Sequence, residues 1–261
     1  MRTYRHKKLT DIPQTVSSVW VSTPRYVYSV RTYKRADRRT YLLIAQRRGG
    51  LLPSRQTTNM FERNVILLAD GFTDSDRFAA ALRGVSAGVR WVHLRDHGAS
   101  DEAFLAGAER FVDTVCQRHP GIRVSVNSRL DVAEALGVGY HGGFRGESPA
   151  EARQRLGEEA IIGYSAHEIG DVTGSRAEVV DYFFYSPIFP TGSKPGHPGV
   201  GLKTLADVCR QSVVPVYALG GVTPERAGAC TKAGARGIAV LSGIIEASDP
   251  AEAAGAYLSQ V

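Results

Sequence analysis

The chain has 261 residues, 43% of them hydrophobic, which fits one large α/β barrel or two small domains. No run approaches the ~18 apolar residues of a membrane span. The three cysteines lie too far apart for a disulfide framework or a metal site, so we predict a cytoplasmic protein in a reducing compartment.

The net charge of +6 originates in the amino-terminal segment. Residues 1–60 contain 13 Lys and Arg against 2 Asp and Glu, whereas residues 61–261 contain 19 basic and 24 acidic side chains. The larger part of the chain is therefore mildly acidic, and we expect it to bind neither nucleic acid nor a membrane.

Residues 1–60 form a basic extension in which the apolar runs are short and no clear period repeats. A disordered extension, or upstream sequence ahead of a true start at Met60, is the favoured interpretation. An organellar transit peptide and a basic arm that binds nucleic acid are the alternatives.

Residues 61–261 alternate short β-rich runs with longer amphipathic stretches. The predicted strands are Val65–Ala69, Trp91–Arg95, Ile122–Asn127, Gly139–His141, Ala160–Ser165, Asp181–Ser186, Val214–Leu219 and Gly237–Leu241. The predicted helices are Asp74–Ala87, Ser100–Arg118, Leu130–Leu136, Pro149–Leu156, Glu168–Gly174, Leu202–Cys209, Pro224–Ala233 and Pro250–Leu258. Ser100, Ser148, Thr223 and Asp249 stand at predicted helix caps. Eight strand–helix units in about 200 residues predict a single-domain α/β fold, the (β/α)8 TIM barrel.

The chemistry of such barrels lies at the carboxyl ends of the strands. Strand two ends in His93 and Arg95, and strand alternation places both side chains on the same side of the strand. Two basic residues near the barrel mouth suit an anionic ligand. A surface Arg–Asp pair is the alternative. Asn127 ends strand three. His167 follows strand five, where its titration near neutrality suits general acid/base catalysis, although a helix cap or surface residue is the alternative.

The loops after the last three strands suggest a phosphate ligand. In the Gly- and Pro-rich loop at 186–201, the residues Thr191, Ser193 and Lys194 could grip a phosphate, unless the loop is only a connector. The glycine-bordered ends of strands seven and eight predict a phosphate site of backbone N–H groups, with tight turns as the alternative. Its residues are Gly220, Gly221, Leu241, Ser242 and Gly243.

Five ordered motifs resemble the thiamine phosphate synthase/TenI family over residues 64–259. They lie at residues 126–133, 162–167, 181–194, 218–226 and 233–244. The resemblance implies one of two activities. Synthases join a pyrimidine pyrophosphate to a thiazole phosphate using Mg²⁺, and TenI-type tautomerases aromatise a thiazole carboxylate phosphate without metal. The family also implies a homodimer.

Departures from the synthase pattern favour the tautomerase. Synthases place metal-binding Asp residues where this chain has Ser128 and Gly146, and they usually carry Lys where it has His97. A serine and a glycine cannot replace two carboxylates on Mg²⁺, although Glu147 is one residue away. The tautomerase pattern uses a histidine matching His167 as acid/base, but synthases often carry a histidine there too.

We therefore expect a thiazole tautomerase that acts on a small phosphorylated thiazole. His167 would remove a proton from the substrate and return it, and the substrate carboxylate would meet Arg95 or Lys194. No cofactor is expected, and Mg²⁺ only if the synthase alternative is right. A binding-only regulatory member and an unrelated phosphate-binding barrel are the remaining alternatives.

Overall fold

The computed structural model describes residues 16–23, 26–34, 40–47, 64–119 and 121–261. The chain divides into two compact units, Met1–Gln56 and Thr57–Val261. In the described part, no helix is long and apolar enough to cross a membrane.

The first unit contains an antiparallel sheet of three strands in the order β1-β2-β3. The strands are β1 (Val16–Thr23), β2 (Tyr26–Lys34) and β3 (Thr40–Arg47). They were not predicted, because Tyr, Val and Thr occur at odd and even positions alike and leave no alternation of apolar with polar residues. Met60 lies outside the described residues, so a start at that methionine stays a prediction, whereas the three strands do not fit an extension that is disordered throughout.

The second unit is the predicted (β/α)8 barrel. Eight parallel strands close in the order β10-β11-β4-β5-β6-β7-β8-β9. They are β4 (Asn64–Asp70), β5 (Trp91–Arg95), β6 (Arg123–Asn127), β7 (Gly139–Gly142), β8 (Ile162–Ala166), β9 (Tyr182–Tyr185), β10 (Val216–Leu219) and β11 (Gly237–Val240). Each coincides with a predicted strand to within two residues at either end.

The helices outside the barrel follow the predicted order. They are α1 (Ser75–Ser86), α2 (Asp101–Arg118), α3 (Leu130–Leu136), α4 (Pro149–Leu156), α5 (Ile169–Thr173), α6 (Gly201–Gln211), α7 (Pro224–Lys232), α8 (Ser242–Ile245) and α9 (Pro250–Leu258). The predicted helix at 168–174 is shorter, and a 3-10 helix, Ser175–Glu178, follows it because Gly174 interrupts the α-helical backbone in an extended conformation. Helix α8 was missed, since four residues are too few to display a period.

Side-chain caps stabilise several of the helix starts. Ser100, Ser148 and Asp249 each accept hydrogen bonds from backbone N–H groups of the first turn. Thr223 occupies the cap position of α7 but makes no such bond, so its predicted hydroxyl cap is wrong in that detail.

Alternation along the strands divides the core into two layers. Val92, Leu94 and their counterparts face the helices in a large outer cluster. Inside the barrel lies a smaller cluster of Ile66, Leu68, Trp91, Tyr182, Phe184, Tyr217 and Ala239. The barrel is thus filled with side chains, and a ligand above this filled interior would meet residues at the carboxyl ends of the strands.

Candidate active site

Polar side chains collect where the interior layer reaches the carboxyl ends of the strands, a region we call the mouth. His93 and Arg95 lie on the interior side of β5, and Leu94 lies on the outer side, as alternation predicts. His93 is only 1% exposed, so it could touch only a group that enters the barrel. Arg95 and Asn127 are half-buried at the mouth.

Arg95 is engaged by a carboxylate at the end of the neighbouring strand. Its Nε donates to Oδ1 of Asp70 at 2.7 Å, and both side chains are half-buried. An Arg–Asp pair therefore does form, as the alternative interpretation of this residue expects, with Asp70 as the partner. The Arg95 side chain is fixed by the pair, while its terminal nitrogens keep donors for a substrate anion.

His167 lies at the mouth between β8 and the loop that follows β9. Its Nδ1 is 2.7 Å from the carbonyl oxygen of Ser186. Because a carbonyl oxygen only accepts, Nδ1 carries the hydrogen, and in the neutral ring Nε2 is the nitrogen that has the lone pair. The backbone N–H of His167 donates to Asp171, which ties it to the first turn of α5. The exposed ring is therefore oriented with a basic nitrogen free.

Lys194 extends from the loop after β9 to the same histidine. Its Nζ lies 3.4 Å from His167 Nδ1, and partial burial lowers the pKa of this ammonium group. A cation and a base thus stand side by side, although they are 27 residues apart in the chain. Ser193 is exposed and Thr191 is half-exposed on the same loop. The Thr191 hydroxyl accepts a hydrogen bond from the backbone N–H of Ser193.

The base of this loop is bonded to the end of β10. The N–H of Ile188 donates to Leu219 and that of Phe189 to Gly220, at 2.9 and 3.0 Å. A Cβ at Gly221 would stand 2.3 Å from the carbonyl oxygen of Pro190, so a side chain there would displace the loop. The glycines after β10 therefore serve loop packing as well as any ligand.

The two predicted phosphate loops lie side by side, because β10 and β11 are paired with Leu219 opposite Ala239. No hydrogen bond to another described residue uses the N–H groups of Gly220, Gly221, Ser242 or Gly243. These donors are available to an anion, and the phosphate site remains a prediction.

A polar group inside the barrel was not predicted from the sequence. His141, Ser125 and Tyr182 are buried, and Ser165 is half-buried above them. Applying to β6, β7 and β9 the alternation that was applied to β5 would have turned these side chains inward. Burial, together with Arg95, lowers the pKa of His93 to about 3, and burial also lowers the pKa of His141, so both rings are neutral at pH 7.

Ser128 and Gly146 meet at the mouth although they are far apart in sequence. Ser128 adopts φ of 51° and donates from Oγ to the carbonyl oxygen of Arg145 at 2.7 Å. A Cβ at Gly146, whose φ is 101°, would lie 2.8 Å from Cβ of Ser128. No carboxylate could stand at position 146 without displacing this contact.

A cavity of about 380 Å³ lies at the opposite end of the barrel, between α6, α7 and the start of β10. Cys209, Val214 and Thr231 contribute to its lining. It contains none of the candidate site residues, so the mouth remains the candidate active site.

Comparison with known proteins identifies relatives of the barrel. The family model described as thiamine monophosphate synthase matches residues 66–244. A protein named thiamine biosynthesis bifunctional protein ThiM/ThiE from Symbiobacterium thermophilum is 36% identical over 218 residues, which are 82% of this chain and 44% of that protein. A protein named thiamine-phosphate synthase from Albidiferax ferrireducens is 39% identical over 188 residues, 71% of this chain and 84% of its own length. The chain thus spans less than half of the bifunctional relative but most of the second one.

Solved structures share the fold. The thiamine phosphate pyrophosphorylase from Pyrococcus furiosus superposes with a TM-score of 0.68 at 20% identity, covering 77% of this chain and 96% of that one.

Proposed function

The chain belongs to the thiamine monophosphate synthase family of thiamine biosynthesis enzymes, and on that premise we propose that it is a thiazole tautomerase. The reaction would convert a non-aromatic thiazole carboxylate phosphate into its aromatic tautomer. The observation that carries this proposal is the contact between Ser128 and Gly146, the two positions at which the synthase pattern has metal-binding carboxylates.

The residues at these positions do not fit a magnesium ion. Mg²⁺ prefers carboxylate and phosphate oxygens in an octahedral arrangement. The Ser128 hydroxyl is bonded to a backbone carbonyl, and Gly146 has neither a side chain nor space for one. The neighbouring Glu147 faces the Tyr140 hydroxyl, 3.4 Å from Oε2. Among the residues that the structure describes, no three His, Cys, Asp or Glu side chains converge on a point that could hold a metal.

The tautomerase reaction requires positioning and one proton shuttle, for which the mouth offers matching groups. The substrate phosphate would bind the N–H groups of Gly220, Gly221, Ser242 and Gly243, next to Leu241. The substrate carboxylate would meet the terminal nitrogens of Arg95 and the ammonium of Lys194. In this proposal Asn127, Thr191 and Ser193 would border the same space, and the buried His93 would lie below it.

The proton transfers use Nε2 of His167. That nitrogen would remove a proton from a ring carbon and then deliver it to the exocyclic carbon, so that base and acid are one group. The hydrogen bond from Nδ1 to Ser186 selects the tautomer with a basic Nε2 before the first step and fixes the ring orientation through both steps. Lys194 would stabilise the anionic substrate while the negative charge is redistributed.

Thiamine-phosphate synthase is the second candidate, and the names of the relatives favour it. Lys194 and the retained phosphate loops suit a pyrophosphate-releasing reaction equally well. In synthases the metal site uses carboxylates at the positions of Ser128 and Gly146. Such a reaction in this chain would need a metal site built from other residues.

The two candidates are separated by an assay of aromatisation. Purified protein would be mixed with the non-aromatic thiazole carboxylate phosphate in EDTA, and the product followed by ultraviolet absorbance. We expect turnover in the wild type, a loss of at least ~100-fold in His167→Gln, and no loss in His119→Gln, a substitution at the far end of α2.

Three other results have distinct meanings. Wild-type turnover retained by His167→Gln would remove the histidine from the mechanism. Absence of turnover, combined with pyrophosphate release from the pyrimidine pyrophosphate, thiazole phosphate and Mg²⁺, would establish the synthase instead. Binding of the thiazole phosphate without either reaction would indicate a regulatory member.

A further inference from the structure

A chain of hydrogen bonds leads from the barrel interior to the mouth through His141. Its Nδ1 lies 3.0 Å from the hydroxyl of Tyr182, and its Nε2 lies 2.9 Å from Oγ of Ser165. His141 and Tyr182 are 1% and 0% exposed, whereas Ser165 is half-buried at the end of β8. One buried imidazole therefore joins a core tyrosine to a hydroxyl that a ligand could reach.

The imidazole of His141 is neutral in this setting. Burial lowers its pKa well below the usual value, and His93, whose ring centroid is 5.0 Å away, acts in the same direction. A neutral imidazole has one N–H donor and one acceptor nitrogen. The bonds of His141 to Tyr182 and to Ser165 must therefore run in opposite senses.

The chemistry of the partners decides which sense is favoured. A phenol O–H is a stronger donor than an alkyl hydroxyl, and a phenol oxygen is a weaker acceptor because its lone pair is shared with the ring. The best match has the Tyr182 O–H donating to Nδ1 and the Nε2–H donating to Ser165 Oγ. Burial raises the pKa of Tyr182, so this hydroxyl keeps its proton and remains a donor.

The fold reserves space for this arrangement. A Cβ at Gly163 would lie 2.2 Å from Cζ of Tyr182 and 2.5 Å from Nδ1 of His141. Phe184 packs on the other side of the imidazole, with ring centroids 4.2 Å apart and planes inclined by 31°. The ring is held between these groups and cannot turn without displacing them.

We propose that His141, held in its Nε2–H tautomer by Tyr182, is a positioning residue that makes the Ser165 hydroxyl a hydrogen-bond donor toward the mouth. Because Ser165 Oγ accepts from Nε2–H, its own hydrogen is free to point away from the core. Ser165 lies on the interior side of β8, and His167 follows two residues later, directly after the strand ends. The donor is thus aimed at the region where His167 would meet its substrate.

The identity of the acceptor rests on the proposed function. For a thiazole tautomerase, the acceptor is an anionic oxygen of the substrate carboxylate, where a fixed donor stabilises charge that shifts during proton transfer. The tautomer of His141 does not depend on the reaction, and it can be measured without a substrate.

The first test is the nitrogen-15 spectrum of the histidine rings in the full-length protein, with His141 identified by its disappearance in His141→Gln. Two-bond correlations distinguish a protonated Nε2 from a protonated Nδ1. We expect His141 to have the Nε2–H pattern in the wild type and in Ser165→Ala, and a mixture of tautomers in Tyr182→Phe. A wild-type ring protonated on Nδ1 would overturn the proposal, whether or not the protein is a tautomerase.

The second test is kinetic. Ser165→Ala should lower kcat by roughly 100-fold with little change in KM. Tyr182→Phe should lower kcat by roughly tenfold, which corresponds to the loss of one oriented hydrogen bond. Tyr182→Phe should have no further effect in the Ser165→Ala background, because the tyrosine acts only through that serine.

Tyr217→Phe is the matched control. Tyr217 belongs to the same interior layer, with its ring centroid 5.9 Å from that of Tyr182, and its buried hydroxyl has no hydrogen-bond partner among the described residues. Its removal should leave kcat unchanged. An equal loss from Tyr182→Phe in the wild-type and Ser165→Ala backgrounds would identify a general packing role and overturn the proposed coupling.

Discussion

Replacement of Gly163 by alanine tests whether the barrel interior is built around the contact between His141 and Tyr182. The added methyl group would lie 2.2 Å from Tyr182 Cζ, about 1.3 Å inside the ~3.5 Å at which carbon atoms attract. Tyr182 cannot retreat freely, because it is fully buried and its ring packs on Trp91 with centroids 4.7 Å apart. Overpacking of a rigid core typically costs 1–3 kcal/mol, and we expect about 3 kcal/mol here.

The free energy of unfolding would be measured by urea titration, with Trp91 fluorescence as the probe in a Trp20→Phe background. Gly255→Ala is the control, since its Cβ would meet nothing within 4 Å on an exposed face of α9. Alanine in a helix interior is favoured over glycine, so that control should gain about 0.5–1 kcal/mol. A Gly163→Ala variant within ~0.5 kcal/mol of the wild type would refute the argument that Tyr182 and His141 are fixed.

Three further predictions concern stability. Ser148→Ala should lower the free energy of unfolding by about 1 kcal/mol in urea titrations, and Thr223→Ala by clearly less, because only the serine hydroxyl accepts a helix N–H. The barrel should lose stability as the pH falls from about 6.5 towards 3, because His93 and His141 take up protons in the unfolded chain before they do so in the folded one. The expected loss in the free energy of unfolding is up to ~1.4 kcal/mol per pH unit for each of the two histidines. An unchanged urea midpoint over that range would contradict their burial as neutral rings. Arg153→Met should cost roughly 2–4 kcal/mol, because this mostly buried guanidinium donates to several backbone carbonyls and a carboxylate, and a Tm equal to that of the wild type would contradict this.

The barrel could be predicted because its signals are local. Each strand is a short apolar run, and starts such as Ser148-Pro149 mark the following helix within three residues. The same reasoning found His167 and Lys194 separately, from their places at strand and loop ends. It could not predict that Lys194 Nζ lies 3.4 Å from the imidazole, because the path of the loop depends on backbone bonds to β10.

The polar interior is the part that local patterns did not reveal. His141 and Tyr182 are 41 residues apart, and their contact depends on the closure of the barrel and on a glycine at position 163. A histidine in a short strand and a tyrosine in an aromatic run each look like ordinary core residues. Only the order of the strands around the barrel brings them together.

The contact between Ser128 and Gly146 also limits which substitutions could build a metal site at this turn. The Cβ of an aspartate placed at position 146 would lie 2.8 Å from the Cβ of Ser128, on a backbone with φ of 101°. An aspartate at position 128 alone would tolerate its left-handed backbone but would find no second carboxylate beside it. Placing carboxylates at both positions would therefore require two coordinated substitutions and a rebuilt turn, so no single substitution can create a two-carboxylate site here.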